Sequence, residues 1–475
     1  MDKITGDTLV AWGFKPGKWF KDAIHYANEW VDAGKDEEFV RGAVRAMVPK
    51  EPDVIEYRTN SIPFGTFLDP ETDDEKVNYE AVVRTMDALL RTPTIERAAV
   101  MPDACPAGPV GTIPVGGVVE TNGTIHPGFH SADICCSMAI TVFNRDQDTK
   151  TVLDLAAKVT HFGYGKRSHS EVRRHRDLLT LVESFEENEF LRGEKMAAKA
   201  LDHFMTQGDG NHFFYVGHLK SSGQLAIVTH HGSRGLGAEL YRMGKAAAVR
   251  HTAIHSPRTP EENAWLDFDS EKGQSYWDAL QLVRTWTKMN HFAIHDEMSK
   301  RMGNKVVGRF WNEHNFVFKR GDKFLHGKGA TPNYSGFSND DAGMTLIPMN
   351  MGQPIMIVGH TDNQDALGFA PHGAGRNLSR SAHLRRLKES LGLDPGKDSP
   401  LSKEQKVAIV AKEAEGIDCR FFSGTPDVSE LPSAYKDPDA VRGQIAKYGI
   451  GRVIDEVLPA GSMMAGELDE PWKRK

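Results

Sequence analysis

The sequence predicts an α+β fold: one large unit of mixed sheets with surrounding helices, preceded by an N-terminal helical extension. Three observations carry this. Apolar spacing near 3.6 is confined to separate blocks, the longest over residues 275–302. Short apolar runs broken by Gly and Pro begin near Ala98 and recur up to Arg376, the texture of strands with tight connections. No fixed-period repeat or low-complexity linker divides the 475 residues, so one decorated unit is more economical than several domains.

Composition sets outer bounds. Charged residues make up 26% and the formal net charge is −7, ordinary for a soluble globular chain. That balance argues against wholesale coating of nucleic acid but permits a local basic groove. Residues 1–20 hold no unbroken apolar run, and no stretch approaches a membrane span. The four cysteines, Cys105, Cys135, Cys136 and Cys419, form a poor disulfide framework. They fit a cytoplasmic protein with metal-binding or reactive thiols, Cys419 being an ordinary core residue.

Taken in order, helices are expected over residues 21–33 and 79–90, joined by a Pro-containing connection. Residues 99–103 read as a strand end and 113–120 as a strand, and Asn122-Gly123 signals a hairpin turn. A strand follows over 137–143. Residues 153–207 read as mostly helical. They carry a basic cluster, Lys166-Arg167 and Arg173-Arg174-His175-Arg176, which reads as a solvated helix face or, functionally, as a phosphate contact. Residues 208–213 form a glycine-rich loop, and the strand 225–228 runs into His230-His231-Gly232. Residues 251–274 look like a polar insertion, 326–331 a loop, and 344–348 and 354–358 two strands. Helices over 381–391 and 402–415 and a polar tail complete the chain.

The chemistry centres on His126 to Cys136, H-P-G-F-H-S-A-D-I-C-C. Asp133 and Cys136 form a D-x-x-C pair on a loop entering a strand, a rigid mount for ligands. Spacing favours Cys136 over Cys135 as the donor. Of the 20 histidines, four share a context. His212, His230 and His372 lie beside glycine-rich loops, and His314 follows a Trp-Asn-Glu turn. Asp133, Cys136 and three of these histidines would supply an O, S and N donor set, for which softness favours zinc. In H-G-A-G-R, His372 is a nucleophile-capable imidazole among glycines, with Arg376 placed to stabilise negative charge.

The ordered motifs D-x-x-C, G-N-H-F, H-x-G-S-R-G, an E-H-N turn, H-x-K-G-A-T and H-G-A-G-R-x-x-S-R resemble the RtcB family of RNA-splicing ligases. The likeness runs from about Met101 to Arg380, with an echo at Ala434-Tyr-Lys-Asp-Pro-Asp-Ala. It implies an extension over 1–97 packed on the core, a catalytic domain over 98–466 with the 251–274 insertion, and a tail over 467–475. It implies joining of RNA 3′-phosphate or 2′,3′-cyclic phosphate ends to 5′-hydroxyl ends, in splicing or repair, with GTP and two Mn²⁺ ions in place of zinc. Asp133, Cys136, His212, His230 and His314 then match the metal ligands, and His372 the guanylylated nucleophile. Asn211, Asn315, Pro348, Asn350, Gly373 and Gly375 fall around the nucleotide.

The sequence departs from that pattern where the nucleotide would bind. Tyr215 stands where the family has Glu, Ile355 where it has Ser, and Met464 near its terminal Lys, for which Lys473 or Lys475 would have to substitute. Cys105 replaces a His after M-P-D, and Pro348-Met349-Asn350-Met351 replaces P-G-S-M. An RNA ligase with altered nucleotide recognition is one reading. The alternative is a metal-dependent RNA 2′,3′-cyclic phosphoesterase or RNA-end-binding protein that has lost ligation.

Overall fold

The structure is a computed structural model that describes residues 1–48, 54–396 and 400–468. The chain divides into two compact units, residues 1–55 and 56–475. The division falls at 55 rather than 97, so residues 56–97 belong to the larger unit.

The small unit holds three helices, α1 (Gly6–Ala11), α2 (Phe20–Asp32) and α3 (Glu37–Met47). Thr5 and Asp36 cap α1 and α3 through their side-chain oxygens. Leu9, Ala23, Ala27, Val40 and Val44 form their shared core.

The large unit opens with β1 (Gly65–Thr66) and α4 (Asp73–Leu89), which starts at a capping box of Thr72 and Glu75. Then come β2 (Ile95–Cys105), β3 (Val115–Asn122), β4 (Thr124–Ile125) and β5 (Ser137–Phe143). A mainly helical stretch follows: α5 (Thr149–Val159), β6 (His161–Phe162), α6 (His169–Val172), α7 (Arg176–Glu183), α8 (Glu194–Asp202) and β7 (Thr206–Gly208). The strands β8 (Phe213–Leu219) and β9 (Leu225–His231) lead into α9 (Arg234–His255), β10 (Leu266–Asp267) and the long α10 (Glu271–Met302). Next are β11 (Val306–Glu313), β12 (Asn315–Arg320), β13 (Lys323–Lys328), β14 (Ala330–Pro332), β15 (Met344–Ile347), β16 (Ile355–Gly359) and β17 (Phe369–Pro371). The chain closes with α11 (Arg380–Ser390), α12 (Lys403–Glu413), β18 (Asp418–Phe421), α13 (Pro438–Lys447) and β19 (Arg452–Met464).

An eight-stranded sheet runs β11-β5-β9-β8-β19-β16-β15, antiparallel throughout, with β18 added parallel to β19. A five-stranded sheet runs β1-β2-β3-β13-β12. Side chains on neighbouring strand positions point to opposite faces. One face of the large sheet therefore carries Phe143, Phe214, Leu225 and Ile227 into the main core, which includes Trp286 and Ile294 of α10. The other carries Met138, Tyr215, Val228 and Ile355 into a separate core. The register pairs Met138 with His230, His230 with Phe213, and Phe213 with Met464, so the ends of four strands meet at one place.

Several expectations change. Asn122-Gly123 turns the chain with φ +62° at the glycine but closes no hairpin, because β4 pairs with β10 and not with β3. Residues 251–274 are not peripheral: they finish α9 and bury Ala264, Trp265 and Leu266. His326 lies within β13, where its Nε2 accepts from the His126 backbone N at 3.0 Å. The region taken as a polar tail contains β19, 13 residues long and central to the large sheet. The pairing of β19 with β8, more than 230 residues earlier, has no local signature.

Candidate functional site

Five predicted donors converge at the sheet end. Cys136 precedes β5, His212 precedes β8, His230 is the penultimate residue of β9, and His314 sits in the break between β11 and β12. Cys136 Sγ lies 3.2 Å from His230 Nε2 and 3.4 Å from His212 Nε2. His230 Nε2 and His314 Nε2 are 3.2 Å apart, and Asp133 Oδ2 is 3.2 Å from His212 Nε2. Strand alternation explains why His230 enters the cluster while its neighbour His231 turns to the opposite face and stacks on His291 of α10 at 3.5 Å. It also separates the cysteines. Cys136 faces the histidines, whereas Cys135, held at φ +57°, is buried in the main core.

Cys136, His212 and His230 form a buried group whose ligand atoms lie within 4.8 Å of one another and could hold a metal ion, with Asp133 in contact with His212 and His314 in contact with His230. Atoms bound to one ion at about 2.0–2.3 Å lie roughly 3–3.7 Å from one another, which is the spacing seen here. Burial and the neighbouring imidazoles push His230 and His314 well below the usual histidine range, leaving them neutral as ligands must be. Burial and the Asp133 carboxylate push the Cys136 thiol well up. Burial opposes ionisation of Asp133, but the His212 and His230 imidazoles hold its carboxyl down at about 2. A buried thiol and three buried imidazoles in contact would otherwise be an expensive way to fill a core.

His372 stands against this cluster, its ring 4.8 Å from that of His314. It follows β17, and its Nδ1 is 2.6 Å from Asp103 Oδ2, which also accepts from the His372 backbone N at 3.1 Å. Asp103 is fully buried near the end of β2. Lys436 braces that end by donating to the carbonyls of Pro102 and Ala104. Two glycines are required. A Cβ on Gly375, at φ +74°, would lie 2.1 Å from the Asp103 carbonyl, and one on Gly329 would press on the His372 ring. With Nδ1 committed, Nε2 is the ring atom left for chemistry.

His372 and His230 line a cavity with Asn211, Pro348, Asn350, Gly373 and Gly375. Its remaining wall is largely apolar, with Phe213, Tyr215, Met349, Met351, Ile355 and Met464. The Tyr215 hydroxyl donates to the Val457 carbonyl at 3.0 Å. Arg376 reaches the cavity and each of its three guanidinium nitrogens donates to the protein, to Glu430 Oε2 and to the carbonyls of Ser429 and Leu378. Asn315 does not line the cavity. Its amide accepts from Gly329 N at 2.7 Å and donates to the Asp133 carbonyl, tying the donor loop to β14. Lys473 and Lys475 lie outside the described residues.

On the outer side of the cluster a second, more open groove is lined by Asp133, Asp209, His212, Arg234 and Arg380. Asn211 and Arg380 border both spaces. Sequence reasoning missed Asp103 and Glu430. Asp103 carried a signal, since it is the carboxylate of M-P-D at a strand end. Glu430 lies in a segment with no recognisable pattern. There it ties together Arg376, Arg380 and Tyr435.

A family model described as RtcB, tRNA-splicing ligase RtcB, matches residues 86–465. The chain belongs to the RtcB family. Among curated proteins, the tRNA-splicing ligase RtcB of Aeropyrum pernix is 24% identical over 428 residues, covering 74% of this chain and 84% of the relative. That of Pyrococcus abyssi is 26% identical over 297 residues, covering 54% of this chain and 30% of the relative. That of Archaeoglobus fulgidus is 25% identical over 315 residues, covering 57% and 62%. At these identities the chain is a divergent RtcB protein. The small N-terminal unit lies outside the matched residues. No helix among the described residues is long and apolar enough to cross a membrane.

Proposed function

We propose that this RtcB protein is an RNA ligase that joins 3′-phosphate or 2′,3′-cyclic phosphate ends to 5′-hydroxyl ends, in splicing or repair, through a histidine–GMP intermediate. One observation carries the reading: His372, pinned through Nδ1 by buried Asp103, faces the same cavity as His230 of the donor cluster. His372 Nε2 attacks the α-phosphate of GTP and forms an N–P bond as pyrophosphate leaves. Asp103 holds the ring and balances the charge it gains. The GMP passes to the RNA 3′-phosphate, and the 5′-hydroxyl then attacks that phosphate and displaces GMP. Water opens a cyclic phosphate first. Asn211, Asn350, Gly373 and Gly375 would position the nucleotide. Asp133, Cys136, His212, His230 and His314 would hold two Mn²⁺ ions, which when bound neutralise phosphate charge.

A second reading is favoured by the apolar cavity wall. Guanine offers adjacent N–H donors, yet the buried Tyr215 has one hydroxyl oxygen where a carboxylate has two, the Ile355 and Met464 side chains offer no strong acceptor, and Glu430 is taken by Arg376, Arg380 and Tyr435. Loss of nucleotide transfer would leave a cyclic phosphoesterase or an RNA-end-binding protein. Incubation with Mn²⁺ and α-labelled GTP, with ATP in parallel, separates these when read under denaturing conditions beside His372→Ala. A GTP label absent from the variant supports the ligase. A label from ATP alone means the cavity has changed base. No label, in protein shown to hold metal, moves the assignment to the phosphoesterase.

A further inference from the structure

Glu430 ends a single turn of 3-10 helix, Val428–Glu430, in the wall of the cavity that holds His372. It is buried. Its Oε2 accepts from Arg376 Nη1 at 2.9 Å and from the Tyr435 hydroxyl at 2.6 Å, and its Oε1 accepts from Arg380 Nε. Burial opposes ionisation of Glu430, but the Arg380 and Arg376 guanidinium groups hold its carboxyl below the usual range. One negative charge is thus shared by two positive ones, and the group keeps a net positive charge at the cavity wall.

The two arginines are held differently. Besides its bond to Glu430, Arg376 donates through Nε to the Leu378 carbonyl at 3.0 Å and through Nη2 to the Ser429 carbonyl at 2.9 Å. Its guanidinium also lies 5.2 Å from the centre of the Tyr435 ring. Arg380 gives only Nε. Neither of its Nη atoms has an acceptor among the described residues, and its side chain is 57% exposed. It nevertheless has a defined place. It opens α11, and its Nη2 comes within 3.1 Å of the point where a Cβ on Gly210 would stand. Gly210 belongs to the loop that carries Asn211 and His212, so Arg380 spans from Glu430 to the loop that presents part of the donor cluster. Of the residues lining the His372 cavity, Asn211 and Arg380 also line the outer groove.

We propose that Glu430 is a positioning residue for the passage of GMP from His372 to RNA: by taking Nε it fixes Arg380 at the border of the two spaces, with the Nη edge free for a phosphate. This rests on the RNA-ligase reading above and names the group that steadies its second step. In that step an oxygen of the RNA 3′-phosphate forms a bond to the GMP phosphorus. The bond from His372 Nε2 to that phosphorus breaks, and its electron pair returns to the ring. Two anionic phosphates must approach each other for this to happen. A guanidinium already fixed at the border offsets their repulsion through charge-assisted hydrogen bonds, without the entropy a free side chain would lose on being ordered.

The test uses the full chain with Mn²⁺, labelled on His372 from α-labelled GTP, freed of excess nucleotide and mixed with an RNA ending in a 3′-phosphate. Only the labelled fraction is followed, so a loss in the first step does not enter. Its single-turnover discharge is compared in the wild type, Glu430→Gln, Arg380→Gln and the double variant. Each single substitution should slow discharge by about 10²-fold, the usual cost of losing one oriented donor. The double variant should be no slower than either, because Glu430 acts through Arg380. A carboxylate that merely supports the fold would give losses that multiply. Glu430→Asp keeps the charge and replaces the amide in this cycle if Glu430→Gln does not fold. It should slow discharge less, with no further loss when added to Arg380→Gln. Multiplying losses, or discharge at the wild-type rate in Arg380→Gln, would overturn the positioning role and leave the ligase reading standing. So would an Arg380→Gln chain that takes no label, since that would place Arg380 on the nucleotide and not at the border. A wild-type chain that takes no label, or keeps it in the presence of RNA, overturns the ligase reading and the positioning role with it.

Discussion

Cys135 and Cys136 are adjacent, equally buried and chemically identical, yet they face opposite sides of the chain. Only Cys136 touches the imidazoles of His212 and His230. Cys136→Ala should therefore abolish bound metal in elemental analysis of the purified protein. Cys135→Ala should keep its metal and lose about 1 kcal/mol of stability from a small cavity. Metal retained in the first variant and lost in the second would reverse the assignment. Asp103 is the second residue on which the site depends. It accepts from both the backbone N and Nδ1 of His372, and no other described side chain bonds to that ring. Asp103→Asn should slow nucleotide transfer to His372 by about 10²-fold or more, because the neutral amide does not balance the charge the ring gains. Metal content should not change, which separates an effect on the nucleophile from damage to the cluster. That the cluster's side chains come together was legible in sequence, because glycines and a D-x-x-C spacing flag them. Asp103 was not, since a carboxylate at a strand end has many ordinary explanations and its partner lies 269 residues away.

The element that organises the site is β9, whose two faces do different work. Its His230 joins the donor cluster, while Thr229 on the reverse face accepts and donates within a buried chain. Thr229 Oγ1 is 2.7 Å from His291 Nδ1 and 2.8 Å from His295 Nε2, and His291 Nε2 is 3.0 Å from Ser137 Oγ. This chain fixes α10 against the strands that carry the donors. Thr229→Val keeps the shape but leaves two ring nitrogens unpaired in the core, at about 1–3 kcal/mol each. The midpoint of chemical denaturation should fall accordingly, and an unchanged midpoint would mean that water or a shifted ring replaces the hydroxyl. Helices such as α2, α4 and α10 were readable because each carries its own periodicity, as were short strands such as β5 and β16. β19 was not, although it is central to the large sheet. Its sequence, with Pro459 and Gly461 inside it, looks like a tail. Both residues sit beside a register shift against β8, where the ladder already departs from regular pairing.

At the scale of the whole molecule, several buried histidines are core residues outside the cluster of Cys136, His212 and His230. His126 and His130, prominent in the sequence beside the D-x-x-C pair, hold no place in the donor cluster. His126 stacks on Phe129 at 4.2 Å and bridges Thr94 and the Asn263 carbonyl, and His130 bonds the Tyr276 hydroxyl at 3.0 Å. Burial drives His126 and His295 down to about 3 and His130 to about 4. Each is neutral in the native core but takes up a proton near pH 6.5 once unfolded. Between 6.5 and these lowered values the unfolded chain binds more protons, so stability is complete above 6.5 and falls as the pH drops. At about pH 5 the loss is about 2 kcal/mol per ring, or about 6 kcal/mol for the three, against a typical total of roughly 5–15 kcal/mol. Glu313 works the other way, because burial raises its carboxyl, but it is one group and is held by Arg284. The free energy of unfolding, measured by denaturant titration with excess chelator so that metal release does not contribute, should therefore decline steeply from about pH 6.5 to 5. A flat profile over that window would mean that these rings accept protons inside the folded core, and that the hydrogen-bonded partners seen around them rearrange to allow it.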